Sequence, residues 1–252
     1  MEIKKLLYVT HLREPTYDAL EALTEMGKIG LKEIILFPQK PPKELVDRLS
    51  GHGIGLKGID GSGPLIPRIF EVADKEHVSL IIAHNHKAKQ GFFRRSDARR
   101  LIRNTPLPLL FIHEDDREGS SLVRGLFNSV ILATDWSDAA RRAWLYIIGI
   151  KEIVGVVDIV YVLNEKPTIG EIRQLKERVE EIRKICLEEE MDAESHIYAG
   201  KTEDEIVLAS KDYSATMIAM GYKRRGALKE LFTGNSCYRV AEKSSVPVLI
   251  IP

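Results

Sequence analysis

Two short apolar runs each occur twice in this chain, and their duplication leaves few folds open to it. Lys5-Leu6-Leu7-Tyr8-Val9-Thr10-His11 returns as Ser129-Val130-Ile131-Leu132-Ala133-Thr134-Asp135, and Pro108-Leu109-Leu110-Phe111-Ile112 returns as Pro247-Val248-Leu249-Ile250-Ile251. Between the members of each pair, strand-like and helix-like patterns alternate. In the first half, strands are predicted near 3–10, 32–37, 53–59, 78–83 and 107–112, with helices near 17–26, 43–49, 65–75 and 96–103. After a charged, Gly- and Ser-containing stretch from Glu114 to Gly125 the pattern restarts, with strands near 129–134, 154–163, 193–199, 217–221 and 246–251. Helices near 137–150 and 168–190 fall between them, and Thr202 with Glu205 reads as a capping box opening another helix. Strand and helix in alternation argue for parallel sheets covered on both faces. The expectation is an α/β protein made of two tandem, doubly wound, parallel five-stranded sheets. The domains would be residues 1–115 and residues 126–252.

Composition narrows the partners. In 252 residues, Lys plus Arg and Asp plus Glu both number 37, so no net charge draws the chain to nucleic acid or to a membrane surface. The apolar runs are strand-sized, short of the roughly 20 residues a membrane helix needs. Two cysteines, Cys186 and Cys237, far apart and without a preceding signal peptide, fit a reducing cytoplasm.

Chemistry concentrates at the C-terminal end. Met217 to Gly221 reads as a buried strand ending in glycine, a basic loop from Tyr222 to Arg225 follows, and Gly234-Asn235-Ser236 opens a helix. A strand ending in glycine and a glycine opening a helix are places where backbone amides can approach a phosphate unobstructed. Lys223, Arg224 and Arg225 add positive charge. Singly, each feature is equally a turn or a helix start.

This stretch resembles the C-terminal half of a universal stress protein domain, whose nucleotide-binding members carry G-x2-G-x9-G-[S/T] after the fourth strand. Gly221 and Gly234 stand at the outer glycine positions, Arg224 holds the middle one, and Asn235 stands where Ser or Thr is preferred, with Ser236 next. Ala133-Thr134-Asp135-Trp136-Ser137 is similar to the family's P-T-D-x-S. The resemblance implies a universal stress protein fold of the adenine nucleotide alpha hydrolase-like type. It further implies an ATP or AMP site, with Mg where phosphates need it, built from Ala133, Thr134, Asp135, Val162, Gly221, Arg224, Gly234, Asn235 and Ser236. There the backbone of Val162, after Tyr161, would read adenine. Asp135 would accept from a ribose hydroxyl; its alternative role is to cap the helix that follows. Arg224 would fill the space left by the missing glycine or pair with phosphates.

No Ser-His-Asp set, Walker lysine or paired carboxylate stands out, so no catalytic residue is expected and ATP hydrolysis would be slow at most. Two other readings stay open: a ligand-free, dimerising interaction module, and an adenylating-type enzyme of the same superfamily. In the first half His11 replaces Asp, Ala83-His84 replaces Met-Gly and Arg94-Arg95-Ser96 replaces Gly-Asn-Ser, so that half is expected not to hold nucleotide. With the family's strand order, His11, His84, His86 and His113 would gather at one sheet edge, beside Glu114 or Asp115; no metal site is assigned there, and the group reads either as solvated loop histidines or as a metal-binding or pH-responsive cluster. The family's last strands pair between domains, which implies an intrachain pseudo-dimer and leaves room for a homodimer.

Overall fold

The computed structural model describes residues 3–10, 15–86, 95–114, 125–165, 168–222 and 234–252. The first half supplies strands β1 (Lys5–Val9), β2 (Glu33–Phe37), β3 (Gly55–Gly58), β4 (Leu80–His86) and β5 (Leu109–Glu114), with helices α1 (Pro15–Ala22), α2 (Lys43–Gly51), α3 (Leu65–Lys75) and α4 (Arg95–Asn104). The second supplies β6 (Ser129–Thr134), β7 (Val156–Leu163), β8 (Asp192–Ala199), β9 (Met217–Gly221) and β10 (Val248–Ile251), with α5 (Asp138–Gly149), α6 (Ile169–Glu188), α7 (Thr202–Asp212) and α8 (Gly234–Lys243). The ten strands form one sheet in the order β3-β2-β1-β4-β5-β10-β9-β6-β7-β8. Within each half every strand pair is parallel, so the two expected five-stranded sheets are both present.

They join through β5 and β10, which pair antiparallel with Leu249 opposite Leu110. That pairing turns two apolar edges into sheet interior and removes two templates for aggregation. Across the seam, the Arg99 guanidinium lies 5.7 Å from the centre of the Tyr238 ring, and the Tyr222 hydroxyl donates to the Arg103 carbonyl.

Helices cover both faces. Leu20, Leu49, Ala143, Ile147 and Val179 bring α1, α2, α5 and α6 onto one face, where they meet Leu6, Leu36, Ile82, Leu132 and Ile159. Ile69, Leu101, Ile206 and Val240 bring α3, α4, α7 and α8 onto the other, against Leu7, Ile35, Ile81, Ile131 and Val160. Covering on both sides explains why β6 reads as a continuous run, with all six residues buried. Burial of each large aliphatic side chain there contributes about 2 kcal/mol relative to exposure.

One helix start differs from the sequence expectation. Thr202 is the first residue of α7 and Lys201 takes the cap position, with no side-chain cap. The Thr202 hydroxyl instead donates 2.7 Å to Asn164 Oδ1 after β7, a tertiary bond that local spacing does not reveal. The reciprocal capping box belongs to α6: the Glu171 amide donates to Thr168 Oγ1 at 3.3 Å, and the Thr168 amide donates to Glu171 Oε2 at 2.7 Å.

Candidate functional site

In an open α/β sheet, ligands collect at the carboxyl ends of the strands where the order reverses. In the second half that place is between β6 and β9, because the chain continues from β6 outward to β7 and β8 and then returns to lay β9 and β10 on the other side. The register sets Ala133 beside Met220 and Thr134 beside Tyr161. Ala133, Thr134, Val162 and Gly221 therefore arrive at one edge, the ends of three adjacent strands. Ala133, Val162 and Gly221 are buried, so what they can offer a ligand is backbone.

The exit from β6 is a tight, internally bonded turn. Thr134 Oγ1 accepts from the Trp136 amide at 3.3 Å, and Asp135 Oδ1 accepts from the Ser137 amide at 3.1 Å. Ser137 is the cap of α5, its Oγ accepting from the Ala140 amide at 3.2 Å. Of the two roles open to Asp135, helix capping thus belongs to Ser137, while Asp135 shapes the turn before it. Asp135 is also the carboxylate its neighbours feel. Burial raises the Tyr161 hydroxyl above its ordinary range and the charge of Asp135 adds to that, while Arg178 works the other way. On α8, burial first and Asp135 second push the fully buried Cys237 thiol up to about 12. A thiol held there is no nucleophile at neutral pH.

Gly221 has a packing reason for its identity. A Cβ on it would run into the backbone of Ala139 and Ala140, so only glycine lets the first turn of α5 rest against the end of β9. Arg142, one turn further along α5, fixes the contact by donating from Nε to the Pro252 carbonyl at 2.7 Å. The N-termini of α5 and α8 both lie at this edge, since each follows a parallel strand that ends there. Gly234, Asn235 and Ser236 form the first turn of α8, where backbone amides lack intrahelical acceptors. Helix α8 is braced from α7 by Glu203, whose Oε1 accepts from Arg239 Nη1 at 2.7 Å and lies 3.2 Å from Lys201 Nζ. Burial works to raise the Glu203 carboxyl, but the bonds from Arg239, its own backbone and Lys201 outweigh it and hold the group at about 2.

Trp136 belongs to this edge although the sequence-based set of site residues does not contain it. It takes a left-handed backbone with φ of 64°, and its ring stacks on Tyr161 with centres 5.5 Å apart. The Arg178 guanidinium lies 5.9 Å from the centre of the indole. An aromatic residue inside a Thr-Asp-x-Ser turn is the signal in the sequence that points to it.

Arg224 and His11 lie outside the described residues, as do the side chains of Asn235, His86 and His113. His84 is described and fully buried, with Nδ1 2.5 Å from the Tyr8 hydroxyl. The β4/β5 register sets His113 opposite Asn85.

Fold and crevice define a tandem, doubly wound α/β protein whose strand-order switch is lined by backbone, one turn aspartate and two helix N-termini. The universal stress protein family model matches residues 127–252. The chain belongs to the universal stress protein family, and its fold is that of a stress-response module. A universal stress protein from Archaeoglobus fulgidus DSM 4304 is similar over 98% of this chain and 95% of its own, with a TM-score of 0.68 and 18% identity. A functionally unknown protein from Pseudomonas aeruginosa PAO1 is similar over 99% and 92%, with a TM-score of 0.69 and 17% identity. Both likenesses span the two halves and show a shared tandem fold. No curated protein matches the chain. Among the described residues, no helix is long and apolar enough to cross a membrane.

Proposed function

We propose that the second half binds one adenine nucleotide, ATP or AMP, in the crevice between β6 and β9, and that the chain is a nucleotide-binding stress-response or signalling module of the cytoplasm. The observation that carries this reading is the convergence of Asp135, Val162, Gly221 and the first turn of α8 at the strand-order switch. Asp135, stationed in its turn with the capping work done by Ser137, accepts from a ribose hydroxyl. The backbone of Val162 reads adenine, and Trp136 stacked on Tyr161 gives that strand end aromatic surface. The amides of Gly234, Asn235 and Ser236 receive phosphate oxygens, as helix N-termini do for anions, and Arg224 adds charge. Mg accompanies the triphosphate. Turnover is absent or slow in this reading, since no side chain is assigned at the site to orient or activate a water against the terminal phosphate.

Calorimetry with ATP, ADP and AMP tests it. One site per chain is expected, with Asp135→Ala weakening binding about tenfold through loss of a charge-assisted hydrogen bond. Arg224→Gly should change the preference between AMP and ATP. No heat from any of the three at millimolar concentration would sink the proposal and leave the ligand-free interaction module as the better account.

A further inference from the structure

On the α7 side of the sheet, away from the crevice, three metal-ligating side chains meet at the outer strand pair. Period-two alternation puts Glu194 and His196 on the same face of β8, and the register sets Asp158 of β7 directly opposite Glu194. Their donor atoms all lie within 4.8 Å of one another. His196 Nε2 is 2.9 Å from Asp158 Oδ1 and 3.9 Å from Glu194 Oε2. A tetrahedral zinc ion with ligand bonds of about 2.0–2.1 Å needs ligand atoms about 3.3–3.4 Å apart, and the two observed separations bracket that value.

Asp158 supplies the second observation. It is only 4% exposed, between the fully buried Val157 and Ile159 of a strand otherwise apolar at its centre. Outside this cluster it has no hydrogen-bond partner among the described residues. A buried carboxylate facing a like charge directly across a strand pair is unfavourable, and among the described residues a single imidazole is the one basic group bonded to it. A divalent cation between two carboxylates and an imidazole cancels both charges. The remaining parts are also present. His196 Nδ1 is 3.0 Å from the Tyr213 hydroxyl, and the two rings stack with centres 4.1 Å apart, the kind of outer support that fixes tautomer and orientation of a ligating imidazole. The Glu194 side chain is 69% exposed, so solvent can supply a fourth ligand.

We propose that Asp158, Glu194 and His196 form a site for one divalent cation of the zinc type, with Tyr213 positioning His196. The bound ion clips the edge strand β8 and the end of α7 to β7. The site stands about 13 Å along β7 from Val162, four strand residues away, and does not depend on nucleotide binding.

The test uses the full chain, stripped of metal by a chelator and titrated with zinc alone by calorimetry, with cobalt as the spectroscopic probe. One equivalent is expected, with the visible absorption of four-coordinate cobalt. Glu194→Gln, at a mostly exposed position that the fold does not need, should weaken zinc binding by at least about tenfold, and His196→Gln should remove the cobalt spectrum. Zinc should raise the thermal midpoint of the parent chain more than that of Glu194→Gln. Absence of stoichiometric uptake in the parent, or equal uptake by parent and both variants, would overturn the proposal and leave an Asp158–His196 hydrogen bond only.

Discussion

The two halves place different residues at the same point of the same scaffold. Val9 pairs with Ala83 in the first half as Ala133 pairs with Met220 in the second, so one residue further on His84 and Gly221 are equivalent. Gly221 has no side chain, and the backbone of α5 fills the space a Cβ would need. His84 puts a whole imidazole there, fully buried and edge-on to Tyr8 with ring centres 5.9 Å apart and planes at 85°. Tyr8 in turn stands where the second half has Leu132. A polar pair fills one crevice with its own side chains; in the other, glycine admits a helix N-terminus. Duplication of a fold therefore does not duplicate a site, because a single side chain at the strand end decides what can approach.

The largest effect expected from breaking this contrast is Gly221→Ala. The added methyl meets backbone rather than a yielding side chain, so a loss of about 3 kcal/mol in urea unfolding is expected. A loss under about 1 kcal/mol would mean that α5 can step back freely, and the contrast between the halves would be smaller than drawn. His84→Ala comes next. It removes a buried ring and a hydrogen bond to Tyr8, with an expected cost of about 2 kcal/mol and no change in nucleotide affinity of the second half. Altered nucleotide binding would show that the halves are coupled through the sheet.

The smallest effect concerns Glu203, the brace between α7 and α8. Its folded carboxyl sits at about 2, below its ordinary value of 4.5. A depressed carboxyl contributes stability above the unfolded value and loses it as pH falls through the folded one. Between pH 4.5 and pH 2 the parent should lose on the order of 1 kcal/mol from this group, after allowance for the half-exposed Arg239. Arg239→Gln should flatten that part of the profile in acid titration followed by circular dichroism. An unchanged slope would assign the acid lability to other carboxylates.

Much of the scaffold is legible in the residues alone. The bounds expected for β6, β9 and α3 coincide with those observed, because apolar runs between turn residues have no competing reading. The run 246–251 is less sharp at its start. The Val246 amide donates to Ser244 Oγ at 3.0 Å in a turn, so the strand begins at Val248. The residues of the crevice are legible as a set only through the family's spacing, and Gly221 reads there as an amide offered to phosphate, whereas its packing role is to admit a helix. Asp158 and His196 are invisible as a pair, for their meeting depends on the register of two strands separated by a 20-residue helix.

By itself the sequence determined what depends on local pattern: alternating strands and helices, two repeats, two faces to be covered, and a strand-to-helix turn carrying an aspartate. These follow from side-chain period and turn chemistry, which act over a few residues. The joining of the last strands, β5 to β10, was implied by the family resemblance and not by local pattern; only the tertiary structure decided which residue fills the crevice of each half and which carboxylate meets which histidine. Those outcomes depend on register and on close approach of backbones distant in sequence. A shift of one residue would have sent Asp158 to the opposite face of the sheet.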